Sequence, residues 1–284
     1  MKKKNILSTL VIILLSAVVG GALSLTLSKF IHSGKVETPQ PSATPSTSVT
    51  PKTLSVSFNP PQPQEAPPDI RDAVMLGFNI LMDTQRYAPQ YVGNKMKCRN
   101  CHFEAGRMRD GVSLVGVGAA YPRYRERHHY SINLVRRTND CFERSLNGRA
   151  LPYDSKEMNA VVTYLHWISR GLPIYTHLPW LGLKPIKTTH KPNPTNGKEL
   201  YDQKCVACHG DNGEGTQIGP PLWGKDSFND GASMAQQGYF AAFTHKSMPQ
   251  GNPRLTEEES MDVAAFATGQ PRPHFAPKKG GEER

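Results

Sequence analysis

Cys98-Arg99-Asn100-Cys101-His102 and Cys205-Val206-Ala207-Cys208-His209 are two copies of one pattern, Cys-x-x-Cys-His. Two thiols three residues apart can each form a thioether with one vinyl group of a haem, and the histidine that follows can reach the iron as its proximal ligand. A zinc site would need both pairs gathered into one tetrahedral cluster, and a thioredoxin-like dithiol would need strands alternating with helices around it. The flanking sequence supplies neither context. The pattern therefore predicts two covalently attached haem c groups, held by Cys98, Cys101, Cys205 and Cys208, with His102 and His209 on the irons.

The residues around each motif follow a common plan. In Ile70–Tyr87 the apolar side chains Val74, Met75, Phe78, Ile80, Leu81 and Met82 recur at helical spacing and lead into the first motif. Ser155 reads as the N-cap of a closing helix to Arg170, with Met158, Val161, Val162, Leu165 and Trp167 on its apolar face and Gly171 as its stop. Asn196–Gln203 opens the plan again before the second motif. Thr256–Thr268 closes it, with Thr256 and Glu259 spaced for a capping box. The expected fold is all-α, with two cytochrome c-like helical haem domains in tandem at residues 69–171 and 195–270. Residues 172–194 would connect them, and 271–284 would form a flexible tail.

Three lysines in the first five residues precede Ile6–Leu27, which runs 22 residues without a charge. At about 1.5 Å per helical residue that stretch spans roughly 33 Å, the thickness of a bilayer core. Residues 1–32 are thus expected to be a membrane anchor whose lysines stay in the cytoplasm, which places the remainder in the periplasm. Ala22-Leu23-Ser24 offers a cleavage site, and cleavage would leave a soluble periplasmic protein instead. Residues 33–68 are rich in Pro, Ser and Thr and lack apolar periodicity, the composition of a disordered linker. The net charge of +10 suits an anionic membrane surface or a small anionic ligand. No nucleic-acid motif accompanies it, so no nucleic-acid partner is expected.

Cys141 is the fifth cysteine, unpaired in a compartment where a spare thiol risks oxidation. It reads either as a small buried hydrophobe or as a ligand. The sixth position on each iron decides whether a haem relays electrons or does chemistry. For the second haem, Met248 precedes Pro249 and lies 39 residues after His209, which favours it over Met234 and Met261; Lys246 and His245 stand close by as competitors. The first half has no comparable Met-Pro pair. Met108, Met158 and several histidines are weaker choices there, and a thiolate from Cys141 would lower the iron potential and could react with a sulfur substrate.

Arg137-Thr138-Asn139-Asp140-Cys141-Phe142-Glu143-Arg144-Ser145-Leu146-Asn147-Gly148, followed by Leu151-Pro152, resembles the diheme thiosulfate dehydrogenases. The likeness extends through Tyr124-Arg125-Glu126-Arg127, Ser155-Lys156-Glu157-Met158, Trp167 and Met248-Pro249, covering roughly Ile70 to Gln270. The resemblance implies that Cys141 is the distal ligand of the active-site haem and that Arg127, Arg137 and Ser145 line the substrate pocket. It also implies Met248 on the electron-exit haem, where family members vary between Met and Lys, so Lys246 stays an alternative. Ser247 stands where relatives often have Asn, and His245 where some have Lys. The implied activity joins two thiosulfates into tetrathionate, or the reverse, with electrons passing to a redox partner such as another cytochrome c. A non-catalytic, membrane-tethered diheme electron carrier is the competing reading, since it accounts for the haem motifs but not for the Cys141 stretch.

Overall fold

Pro68 opens the helix that leads into the first haem motif in the computed structural model, which describes residues 56–276. Its fixed φ and missing N–H suit the first helical turn. This helix, α1 (Pro68–Met82), buries Val74, Gly77, Ile80 and Leu81 along one face. The predicted helix to Tyr87 is split at Asp83, and a separate turn, Thr84–Tyr87, follows. The break has a local cause. Thr84 is fully buried, accepts from the Cys98 N–H at 3.1 Å and donates to Cys98 Sγ at 3.3 Å.

After the first motif the chain forms a ribbon of β1 (Arg123–Arg125) and β2 (Tyr130–Ile132), antiparallel with Tyr124 opposite Ser131. This small hairpin departs from the all-α expectation. It is closed by Glu126–His128 and by His129 at φ 59°, a left-handed position that strand-period reading of three residues cannot reveal. Helix α2 (Leu134–Asp140) is capped by the Asn133 side chain, which accepts from Arg136 N at 2.8 Å. It runs directly into a π-helical turn, Cys141–Ser145. Helix α3 (Lys156–Trp167) has the predicted Ser155 cap, with Met158 N donating to Ser155 Oγ at 3.1 Å.

The second half contains α4 (Pro194–Lys204), α5 (Gln237–Ser247) and α6 (Glu257–Thr268). The expected capping box is present, with Glu259 N to Thr256 Oγ1 at 3.1 Å and Thr256 N to Glu259 Oε2 at 2.8 Å. In each half the helix before the haem motif crosses the closing helix at a glycine. A Cβ on Gly77 would overlap the Ala160 carbonyl of α3, and one on Gly197 would overlap the Asp262 carbonyl of α6. Backbones that approach this closely need a residue without a side chain. The mostly helical fold is thus built twice on one crossing, in keeping with the internal repeat.

Segments expected to be loose are docked where described. Phe58 packs edge-on to Trp180 at 5.3 Å, Ala66 is fully buried, and Trp167 Nε1 donates to Gln62 O at 3.0 Å. At the other end, Gly224 N donates to Pro271 O at 2.8 Å and Asp230 N to Pro273 O at 3.0 Å. No helix among the described residues is long and apolar enough to cross a membrane. The expected anchor, residues 1–32, and the linker up to residue 55 lie outside the described residues.

Candidate haem and sulfur site

Cys98 to His102 begins as a short 3-10 turn, and the chain then bends through three left-handed residues, Glu104, Ala105 and Gly106. The bend returns the backbone so that Val112 O lies 2.6 Å from His102 Nδ1. A carbonyl can only accept, so Nδ1 carries the proton and Nε2 is left with its lone pair free for a metal. His209 is tied in the same way, with Nδ1 2.8 Å from Pro220 O. Gly219 permits this second arrangement, because a side chain there would collide with the Cys208 carbonyl.

Burial lowers the pKa of His102 to about 4; the Val112 bond opposes the shift and the positive charge of Arg137 adds to it. The ring is therefore a neutral imidazole at physiological pH, the form that ligates iron. The residues fit the group: each half pairs two thiols with a histidine whose ring is oriented for coordination through Nε2. The class that emerges is a diheme c-type cytochrome, with haem c covalently bound at each motif.

Cys141 opens the π-helical turn, with Leu146 N donating back to Cys141 O at 3.0 Å across five residues. Such turns shift a side chain out of the ordinary helical register and recur at functional sites. Arg137, one turn upstream, donates from Nη1 to Cys141 Sγ at 2.8 Å. Charge on Cys141 raises the Arg137 pKa above its ordinary value, against the opposing effect of burial. The same sulfur acts on the first haem motif. Before haem attachment, burial pushes the thiols of Cys98 and Cys101 up to about 12, with the Thr84 hydrogen bond opposing the shift at Cys98 and the charge of Cys141 adding to both.

A charged cluster backs this turn. His128 Nε2 and Asp140 Oδ2 are 2.8 Å apart, each side chain only 6% exposed, while Arg136 and Arg144 approach the other Asp140 oxygen at 3.8 Å. Arg127 lies on the exposed turn between β1 and β2. Its pKa is lowered by partial burial and then by Arg144, with Asp140 opposing and Arg137 and Arg125 adding to the effect. Arg127, Arg137 and Cys141 therefore belong to one electrostatic neighbourhood. Ser145 ends the π-helical turn, and its carbonyl accepts from Asn94.

Met248 directly follows α5, its N–H donating to Thr244 O at 2.9 Å. Lys246 lies in the last turn of α5, and His245 Nδ1 is paired with Leu255 O at 2.7 Å. Met261 is buried within α6, and Met234 sits in the turn Ser233–Ala235. The sequence reading missed His128 and Asp140, whose pairing joins a hairpin to a helix and leaves no local signal. The Arg137–Cys141 pair did have one, the four-residue spacing that brings side chains together on a helix.

Two family models match the chain: the SoxA/TsdA cytochrome c domain over residues 87–174, and cytochrome C oxidase, cbb3-type, subunit III over residues 192–266. The thiosulfate dehydrogenase of Allochromatium vinosum is 38% identical over 220 residues, covering 74% of this chain and 82% of that protein. That of Stutzerimonas stutzeri is 38% identical over 229 residues, covering 76% and 73%. Among solved structures, the thiosulfate dehydrogenase (TsdBA) of Marichromatium purpuratum matches with a TM-score of 0.73 at 31% identity, covering 79% of this chain. This chain spans about half of that longer chain, 51%. The chain belongs to the thiosulfate dehydrogenase family.

Proposed function

We propose that this chain oxidises two thiosulfate ions to one tetrathionate at the first haem centre and passes the electrons out through the second. Cys141 would hold the first iron together with His102 and supply the reacting sulfur. Met248 would hold the second iron together with His209, with Lys246 as its alternative. The observation that carries the reading is the Arg137–Cys141 contact of 2.8 Å on a π-helical turn. A simple electron carrier has no use for a guanidinium aimed at an unpaired sulfur.

The haems, when bound, supply one-electron acceptors. The side chains must overcome the repulsion between two dianions, and guanidinium groups can do so in a site of lowered dielectric. Arg127, on the exposed turn, is assigned to meet an entering anion. Arg137 fixes the position of the Cys141 sulfur, and Ser145 is assigned to the pocket wall. The Cys141 thiolate and the outer sulfur of one thiosulfate form a transient S–S bond, a loss of two electrons for which the two haems, when bound, would be the one-electron acceptors. The outer sulfur of the second thiosulfate then attacks the substrate sulfur of that bond, forming the central S–S bond of tetrathionate and releasing Cys141 as thiolate.

The domain division at 69–171 and 195–270 and the periplasmic location belong to the same proposal, as does tethering by residues 1–32 to a membrane near a cytochrome partner. Steady-state reduction of ferricyanide by the purified diheme protein with thiosulfate as donor is the test. Thiosulfate-dependent turnover yielding tetrathionate is expected. Redox cycling of both haems by chemical reductants with no thiosulfate-dependent turnover would instead identify an electron carrier.

A further inference from the structure

The π-helical turn that presents Cys141 is closed by residues from outside its own helix. A helix end leaves its last four carbonyls without intrahelical partners, and these must be satisfied elsewhere when buried. Here Phe142 O is closed locally by Gly148 N at 2.9 Å, while each of the next four carbonyls accepts from another segment, Arg144 O accepting also from Asn147 N at 3.4 Å. Asn229 Nδ2 donates to Glu143 O at 2.9 Å, and Asn229 N donates to Arg144 O at 3.2 Å. Asn94 Nδ2 donates to Ser145 O at 3.0 Å, and Gly93 N to Leu146 O at 2.9 Å.

The two asparagines come from opposite directions. Asn94 lies four residues before Cys98, so its strap is continuous with the first haem motif. Asn229 lies in the loop beyond the second motif and is only 1% exposed. The strap and the loop are also bonded to each other, through Asn94 Nδ2 to Ser227 O at 2.9 Å and Lys95 N to Asp226 O at 3.0 Å. Asn229 is held in turn by Gly231 N, which donates to its Oδ1 at 3.1 Å, and by its own Nδ2 bond to Asn147 Oδ1 at 3.0 Å. The C-terminal segment adds a stacking contact, with the Arg144 guanidinium 4.0 Å from the centre of the Phe275 ring.

We propose that Asn229, acting with Asn94, is a positioning residue for the reaction: it locks the Cys141–Ser145 turn to both the first haem motif and the second half, and so sets where the Cys141 sulfur stands. The inference rests on the assignment of Cys141 as distal ligand. It adds that the second half, besides carrying electrons, completes the sulfur site through a buried side chain. Helical propensity alone does not hold a π-helical turn in place, and removal of its outside donors leaves part-buried carbonyls short of partners. The turn then relaxes toward ordinary helical register and the sulfur moves.

The test uses the full-length protein with both haems attached, comparing Asn229→Ala, Asn229→Asp and Cys141→Ser by electron paramagnetic resonance and by turnover. Asn229→Asp preserves shape and the acceptor for Gly231 while removing the Nδ2 donor. Both Asn229 variants are expected to keep two haems and an unchanged second-haem signal. They should lose a measurable share of the sulfur-ligated low-spin signal of the first haem, with kcat lowered about tenfold or more and KM changed by less than about threefold. A purely structural role would lower the melting temperature without moving that signal. If Cys141→Ser removes the signal and both Asn229 variants keep it with near-normal kcat, the positioning inference is overturned. If Cys141→Ser leaves it unchanged, the ligand assignment itself fails. Hydrogen exchange on the unaltered protein covers the case in which neither Asn229 variant folds. The amides of Leu146 and Gly148 are expected to exchange together with that of Asn229, and free exchange of the turn while the 226–230 loop stays protected would overturn the inference.

Discussion

Arg137 and Lys would both carry a positive charge beside Cys141, but only a planar fork can bond the sulfur and still present N–H groups to a dianion. Arg137→Lys is therefore expected to lower kcat/KM for thiosulfate by about tenfold, and Arg137→Ala by about a hundredfold, with haem content unchanged. Equal kcat/KM values in all three proteins would remove Arg137 from the site. The haem attachment residues were legible in the sequence because thioether chemistry fixes their spacing covalently. Cys141 was legible only as an odd cysteine in a familiar stretch. His128, Asn94 and Asn229 left no trace, because each acts on a partner distant in sequence and no periodicity encodes such pairs, whereas Asp140 stands at the helical spacing of four from both Arg136 and Arg144.

The crossings of α1 with α3 and of α4 with α6 put a stability requirement on one glycine in each pair. Alanine is the better helix former by about 1 kcal/mol. A methyl group at Gly77 or Gly197 would nevertheless press into a facing backbone carbonyl, an overlap that costs more than the propensity gain. Gly77→Ala and Gly197→Ala are expected to be destabilised by about 1–3 kcal/mol in thermal unfolding, against the stabilisation that helix propensity predicts. Increased stability in either variant would refute the close crossing. Helices α3 and α6 were readable because their caps and apolar faces are local. Helix α5 was not, since its sequence QGYFAAFTHKS lacks a cap and a clear polar face. The π-helical turn was hidden for a different reason, its partners being supplied by Asn94 and Asn229.

Across the whole molecule, Asp262 ties the second half to the segment that joins it to the first. Its side chain is 5% exposed and accepts from His190 Nε2, Asn193 N and Asn196 Nδ2, each at 2.7 Å. Burial works to raise its pKa, yet these three donors outweigh burial and hold it below the ordinary 3.8. A depressed folded value contributes stability above the unfolded pKa, and that stability is lost as pH falls through the lower folded value. Asp262→Asn should cost about 1–3 kcal/mol at pH 7, and the gap from the unaltered protein should narrow below about pH 4. A gap that stays constant or widens on acidification would contradict the sign.

The tandem plan was visible at this scale because both haem motifs repeat, whereas the docking of Phe58 against Trp180 and of Phe275 against Arg144 depends on surfaces that exist only after folding. The assignment on which the chemistry depends is the role of Cys141, and turnover of the Cys141→Gly holoprotein with thiosulfate tests it most directly. With two haems attached and the second-haem spectrum unchanged, the rate should fall by at least about a hundredfold. A rate within about twofold of the unaltered protein would show that this sulfur takes no part in the reaction.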